Sequence, residues 1–291
     1  ARLHTGRNRI VTFEGAYHGH FDGFLGGSIG EPHQCVPISG GVSPAYVQDL
    51  TVLTYGSEES LRYIEDHGSS LAIVLVEPVQ TRNIALQPRR FLQRLRAITK
   101  AAGVVLLFDE VVTGFRTAPG GAQEHFGIRA DLVTYGKALG GGQMVGAVAG
   151  RAELMTGVDG GRWSFGDGTF PVGIRTFFAG TYCKHPLSMV AVSAVLDHII
   201  EHGDTIYPAL NRVTASFAAT LNTWWAQQGV GAAHRALWIA LPFHCAGRNL
   251  SRLLPDPQSR WRVLLGGADM LHEHGARPSG HRVHDLRGAA H

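Results

Sequence analysis

The stretch Asp131-Leu132-Val133-Thr134-Tyr135-Gly136-Lys137-Ala138-Leu139-Gly140-Gly141-Gly142 passes from an apolar run to a lysine set among glycines. Leu132 to Thr134 reads as a strand, because short aliphatic and β-branched runs pack well in a buried sheet. Lys137 follows its carboxyl end. Outward from it, Val145 to Ala149 reads as another strand, as do Val104 to Phe108, Leu71 to Val76, Val52 to Tyr55 and Arg9 to Phe13 upstream. Between them lie segments of helical period, Ser57 to His67 and Arg89 to Ala102, the latter with Phe91, Leu92, Leu95 and Ile98 on one face. Alternating strands and helices predict an α/β fold with a mostly parallel, buried sheet flanked by helices. Ligands of such sheets sit at the carboxyl ends of the strands, which singles out Glu77, Asp109 and Gly136-Lys137.

The 291 residues, 44% hydrophobic and 17% charged, have ordinary globular composition and length for about two domains. A net charge of +3, with the basic residues spread along the chain, predicts no nucleic-acid partner. Three cysteines, Cys35, Cys183 and Cys245, without Cys-x-x-Cys spacing, fit a reduced cytosolic chain better than a disulfide scaffold. No apolar run approaches the ~20 residues needed to span a bilayer, and the first residues lack a signal pattern, so the expected setting is soluble and cytoplasmic, away from membranes. The chain begins Ala-Arg-Leu-His without methionine, which reads as a piece of something longer.

Nearly all the basic side chains are arginine. Chemistry that needs an amine has three candidates, Lys100, Lys137 and Lys184. Lys100 falls in the last turn of a helix, where a cation complements the macrodipole and no further role is needed. Lys184 precedes His185-Pro186 at a helix start and reads as a solvated loop residue. Lys137, among glycines that leave room for something flat, is the one placed for carbonyl chemistry; a partly desolvated lysine amine loses pKa and becomes a nucleophile, as in the Schiff bases of pyridoxal phosphate.

Asp109 closes the run Gly-Val-Val-Leu-Leu-Phe, and a carboxylate there calls for a cationic partner such as a protonated pyridine nitrogen. Strand alternation would put Val111 on its side, against a ring face. Glu110 reads as a cap or a structural ion pair. Tyr17 offers an aromatic face, and Gly180-Thr181 a hydroxyl and amides for phosphate. His18 and His20, with Asp22 nearby, also form a His-x-His pair that would suit a metal-dependent hydrolase, a rival reading for which further ligands are not evident.

A glycine-rich loop, Gly157 to Gly173, leads to a helical stretch from His185 to His202. A second amphipathic segment carries Ile206, Leu210, Val213, Phe217, Leu221 and Trp224 and ends at Gly229. Beyond it the period is lost and arginine, histidine and proline accumulate, as a change of reading frame near Val230 would produce.

Taken together, Phe13-Glu-Gly-Ala-Tyr-His-Gly-His20, Val76-Glu-Pro-Val79, Leu107-Phe-Asp-Glu-Val-Val-Thr-Gly-Phe-Arg116, the Asp131 to Gly142 stretch and Phe178-Ala-Gly-Thr181 resemble class III aminotransferases, which include glutamate-1-semialdehyde aminomutase. The order and spacing agree from Ala1 to Gly229. Glu77-Pro-Val-Gln-Thr-Arg82, the loop Asp159 to Pro171 and Phe177 to Pro186 look like the aminotransferase modules of hybrid polyketide and nonribosomal peptide synthases, which act on carrier-bound β-ketoacyl chains.

The resemblance implies a fold type I pyridoxal-phosphate enzyme that passes an amino group from a small donor to a keto or aldehyde acceptor; an aminomutase and an inactive fragment are the alternatives. It implies Lys137 as Schiff-base lysine and general base, Asp109 on the pyridine nitrogen, Tyr17, His18 and Val111 around the ring, and Gly180 and Thr181 on the phosphate of a neighbouring subunit, hence a homodimer. It also implies a division into a large domain over 1–190, linking helices over 191–229 that begin an incomplete small domain, and an atypical tail over 230–291. The family's serine- and glycine-rich phosphate loop would lie upstream of Ala1.

Overall fold

A computed structural model describes residues 1–28, 35–164 and 166–228, together with the backbone of two short strands at 261–265 and 268–269. In chain order the elements are α1 (Arg2–Thr5), β1 (Arg9–Phe13), β2 (Gly26–Ser28), β3 (Cys35–Pro37), α2 (Pro44–Val47), β4 (Leu50–Leu53), α3 (Glu58–His67), β5 (Leu71–Val76), α4 (Arg89–Ala101), β6 (Val105–Asp109), α5 (Gly121–Phe126), β7 (Leu132–Gly136), β8 (Gly146–Arg151), α6 (Ala152–Asp159), α7 (Pro186–Gln227), β9 (Trp261–Leu265) and β10 (Ala268–Asp269). One sheet runs β10-β9-β8-β7-β6-β5-β1-β4, and β2 and β3 form a separate antiparallel pair. The reading-frame change expected near Val230 lies outside the described residues.

All six residues of β5 are buried, as expected for a strand in the middle of a sheet covered on both faces. α3 starts on Ser57, whose hydroxyl accepts from the Ser60 amide, with Glu58 and Glu59 in the first turn to oppose the helix dipole. α4 buries Phe91, Leu92 and Leu95 against the main core, which also takes in Val74, Val76, Leu106 and Phe108. Each such side chain contributes roughly 1.5–3 kcal/mol by leaving water.

From β4 to β7 the paired strands are parallel, but β8 runs antiparallel to β7. The cause is local, since the connection carrying Lys137 is too short to hold a crossover helix and can only form a hairpin. The two helical segments expected between His185 and Gly229 are one helix, α7, which continues through Pro208. An internal proline removes a backbone donor and costs ~3 kcal/mol. Just before it the helix is anchored, with Gly203 close to Pro119 and the buried Tyr207 donating its hydroxyl to the Phe115 carbonyl at 3.1 Å.

Two charged residues without a sequence-stated role hold strand ends. Arg7 Nη1 lies 3.0–3.2 Å from the carbonyl oxygens of Gly68, Leu71, Ala102 and Gly103, where α3 and α4 finish. Asp131, the first residue of the deciding stretch, accepts from Arg96, Arg151 and the Leu106 amide.

Glu110 is fully buried and caps a helix, where the sequence suggests a strand-end cap or an ion pair: it accepts from the amides of Ala122 and Gln123 at the start of α5 and from the Thr113 hydroxyl. Burial pushes its carboxyl up from 4.5 to about 7, although those hydrogen bonds pull the other way. Between these two values the native carboxyl keeps a proton that the unfolded chain has released, so the native state binds more protons and stability falls as pH rises. Urea unfolding at pH 5 and pH 8 is expected to show a loss on the order of 3 kcal/mol that Glu110→Gln abolishes. Equal pH dependence in the two proteins would refute the assignment.

Candidate active site

Three strand ends converge as expected, and Asp109 is their centre. It is the last residue of β6 and faces Thr134 of β7 in register. One carboxylate oxygen, Oδ2, receives His18 Nδ1 at 2.7 Å; the other, Oδ1, accepts from the Val111 amide and the Thr134 hydroxyl, both at 3.1 Å. Because a carboxylate only accepts, His18 Nδ1 carries the hydrogen, and on the other side of the ring Nε2 lies 3.0 Å from Thr12 Oγ1. Burial alone would raise the Asp109 pKa. The hydrogen bond and charge of His18, with the bonds from Val111 and Thr134, outweigh it and hold the carboxyl below its ordinary value. Asp109 is therefore an anion at neutral pH.

Val111 reaches this site by a different route from strand alternation. β6 stops at Asp109 and the chain turns, so that the Val111 amide folds back onto the Asp109 carboxylate. Its side chain lies near Gly136, where an added Cβ would stand 3.4 Å from Val111 Cγ1.

Lys137 occupies a left-handed backbone position, φ 44°, directly after β7. For a residue with a side chain this costs about 1–3 kcal/mol and persists only where the surroundings impose it. Here α7 imposes it. Leu139 and Val192 are buried together, Ser188 donates to the Met144 carbonyl, and a Cβ on Gly140 or Gly141 would come within 2.9 Å of Val145 or 2.8 Å of Val195. Those two glycines thus admit neighbouring side chains, and the room expected for a flat ligand is not their purpose; Gly142 alone faces open space. The Lys137 side chain is exposed, so the described residues do not provide the desolvation that the sequence reading invoked. Lys100 and Lys184 are exposed too, the first at the end of α4 and the second in the turn before α7.

Tyr17 leaves the turn after β1 and is 54% exposed. Both ends of that turn are held from the loop after β5: Glu77 Oε2 accepts the Tyr17 amide at 3.0 Å, and Gln80 Nε2 donates to the Glu14 carbonyl at 2.8 Å. The sequence singled out Glu77 by its strand-end place, but Gln80 carried no signal of its own. Gly180 and Thr181 lie exposed in the turn ahead of α7, and among the described residues no hydrogen bond ties them to Asp109, Val111 or Lys137.

The rival metal reading finds no support. His18 is committed to Asp109 and Thr12, and among the described residues no three His, Cys, Asp or Glu side chains are grouped to hold an ion. Nor, among them, is any helix long and apolar enough to cross a membrane.

An anionic Asp109 backed by a buried histidine, on the strand next to the one that leads into the strained Lys137, is set in a mostly parallel sheet, and the chain matches the aminotransferase class-III family over residues 1–234. The chain belongs to that family. It is 41% identical to the glutamate-1-semialdehyde 2,1-aminomutase of Thermomicrobium roseum over 233 residues, 79% of this chain and 49% of the relative. Its fold is similar to that of an omega-transaminase from Sphaerobacter thermophilus, with 33% identity, TM-score 0.61, and coverage of 76% of this chain and 48% of that one. A β-phenylalanine aminotransferase from Variovorax paradoxus gives 33% identity and TM-score 0.59 over 78% and 47% of the two chains. The chain thus spans about half the length of the curated relatives it matches. The fold is that of the fold type I pyridoxal-phosphate transaminases.

Proposed function

We propose that this class III aminotransferase chain carries the pyridoxal-phosphate half of an amino-transfer site, with Lys137 as the amine that engages the cofactor. The observation that carries the reading is the Asp109 carboxylate, kept ionised in a mostly buried place by His18, Val111 and Thr134. Such an anion has a use where a protonated ring nitrogen must be held. When bound, pyridoxal phosphate supplies an aldehyde for the amine and a cationic ring that withdraws electrons from the substrate.

The chain's own residues divide the remaining work. Asp109 holds the ring nitrogen's proton, and His18 orients Asp109. Val111 and Tyr17 flank the ring. Lys137 would hold the cofactor's aldehyde through its amine and, once released by the incoming amino donor, would serve as the general base that takes up the donor's α-proton. Gly180 and Thr181, exposed ahead of α7, would serve the phosphate of a second copy. Support for a homodimer comes from the exposed apolar side chains Phe170, Val172, Ile174, Phe177 and Tyr182, close together in the chain, since apolar surface left open in this way is what an interface covers. Sedimentation of the chain at micromolar concentration is expected to show a dimer that Phe177→Asp converts to monomer; a wild-type monomer would remove this part of the reading.

The substrates are a small amino donor and a keto or aldehyde acceptor. A carrier-bound β-ketoacyl acceptor is favoured by the likeness of the Asp159 to Pro171 loop to synthase-embedded modules, and a cytoplasmic setting accords with the reduced cysteines Cys35 and Cys183. The second reading is a 2,1-aminomutase, favoured by the Thermomicrobium relative. The test is a half-reaction with cofactor and amino donor. Release of one keto acid per site supports transfer, isomerisation of the substrate without release supports the mutase, and no cofactor turnover in either assay defeats both.

A further inference from the structure

Glu77 is 4% exposed and Gln80 3%, yet both lie in a loop and pack into no helix or strand. One polar atom of each, Glu77 Oε2 and Gln80 Nε2, bonds the turn from Phe13 to Tyr17. That turn is closed by the Ala16 amide on the Phe13 carbonyl and contains Gly15 at φ 79°, with Gln80 Oε1 3.3 Å from where a Cβ would stand. Thr81 donates to the free carboxylate oxygen of Glu77 at 2.6 Å, which fixes the rotation of the carboxylate. Among the described residues no cation pairs with Glu77, so its charge is met by the Tyr17 amide and the Thr81 hydroxyl. That charge, after burial, also raises the pKa of the neighbouring Tyr55 phenol.

A carboxylate is costly to bury, and two neutral acceptors would satisfy the same donors at lower cost. What the charge adds is strength and direction in the bond to one backbone amide. Tyr17 needs such a bond, because the residue is more than half exposed and makes no aromatic contact among the described residues, so its direction rests on its backbone. We propose that Glu77 is a positioning residue, whose buried carboxylate, set by Thr81 and helped by Gln80, holds the Tyr17 amide and thereby fixes how Tyr17 presents its ring to the cofactor. This rests on the pyridoxal-phosphate reading above.

The test is a titration of the full chain with pyridoxal 5'-phosphate, read by the Lys137-dependent absorption band and by dissociation constant, with thermal unfolding as a control on folding. Glu77→Ala is expected to weaken binding roughly tenfold and to shift the band, whereas Glu77→Gln, which still accepts from the amide, stays within about threefold of wild type. In a Tyr17→Ala background, Glu77→Ala should add less than about twofold. Should Glu77→Ala fail to fold, Thr81→Val at an exposed position replaces it, with a loss of about threefold that Tyr17→Ala again removes. Binding and spectrum unchanged in the variant, or a loss of equal size with and without Tyr17, overturns the proposal in favour of a loop staple. A wild-type chain with no Lys137-dependent band overturns the cofactor reading itself, and with it this role.

Discussion

Lys137→Ala will lose the absorption band formed with pyridoxal phosphate and about four orders of magnitude of amino transfer, the upper end of what a positioned acid-base group supplies. The size of the effect follows from the scarcity of substitutes. The chain has three lysines, and Lys100 and Lys184 sit on a helix end and in the turn before α7. Lys137 also stands at φ 44°, in a segment held by packing of Leu139 and Gly141 against α7 and by Ser188 of α7 on the Met144 carbonyl. Alanine relieves none of the backbone strain, so stability should change by less than about 1 kcal/mol and the lost chemistry is separable from misfolding. A variant that retains the band would show that another amine is used, and would end the reading.

Asp109→Asn should cost roughly 10²–10³-fold in the proton-transfer step, because the neutral amide keeps the shape of the site but cannot hold a protonated ring nitrogen. His18→Leu is expected to act in the same direction and more weakly. Burial alone drives the Asp109 carboxyl upward, and the His18 bond and charge are the largest influences opposing it. Without them the lower limb of the pH-rate profile should move to higher pH, while Asp109→Asn should lack that limb. The sign is that of a depressed acid: its contribution is present above the ordinary carboxylate range and disappears as pH falls through the lowered native value. A profile unmoved by His18→Leu would show that His18 does not tune Asp109.

The strands and the two clearest helices were legible because period and boundaries are local properties. Ser57 announced the start of α3, and the all-aliphatic Leu71 to Val76 announced a strand buried on both faces. The placement of Asp109, Glu77 and Lys137 at strand ends followed from the same rule. Elsewhere the local signal misled. Val111 reached Asp109 by a turn instead of along a strand, Gly140 and Gly141 made room for valines of the protein itself, and α7 ran through Pro208 because Gly203 and Tyr207 were already packed. The apolar stripe of Leu210, Val213, Phe217 and Trp224 was correctly read as helical, yet it remains exposed among the described residues.

By itself, then, the sequence singled out the residues proposed for the chemistry and determined on which kind of element they ride, since side-chain identity and hydrophobic period are written residue by residue. Only the tertiary structure decided that His18 meets Asp109 and that two buried side chains from the loop after β5 hold the turn of Tyr17. Those are contacts across 60 or more residues of chain, such as Tyr17 to Glu77 and Glu14 to Gln80. No local spacing encodes them, because they exist only once the parallel sheet has brought its strand ends to one side.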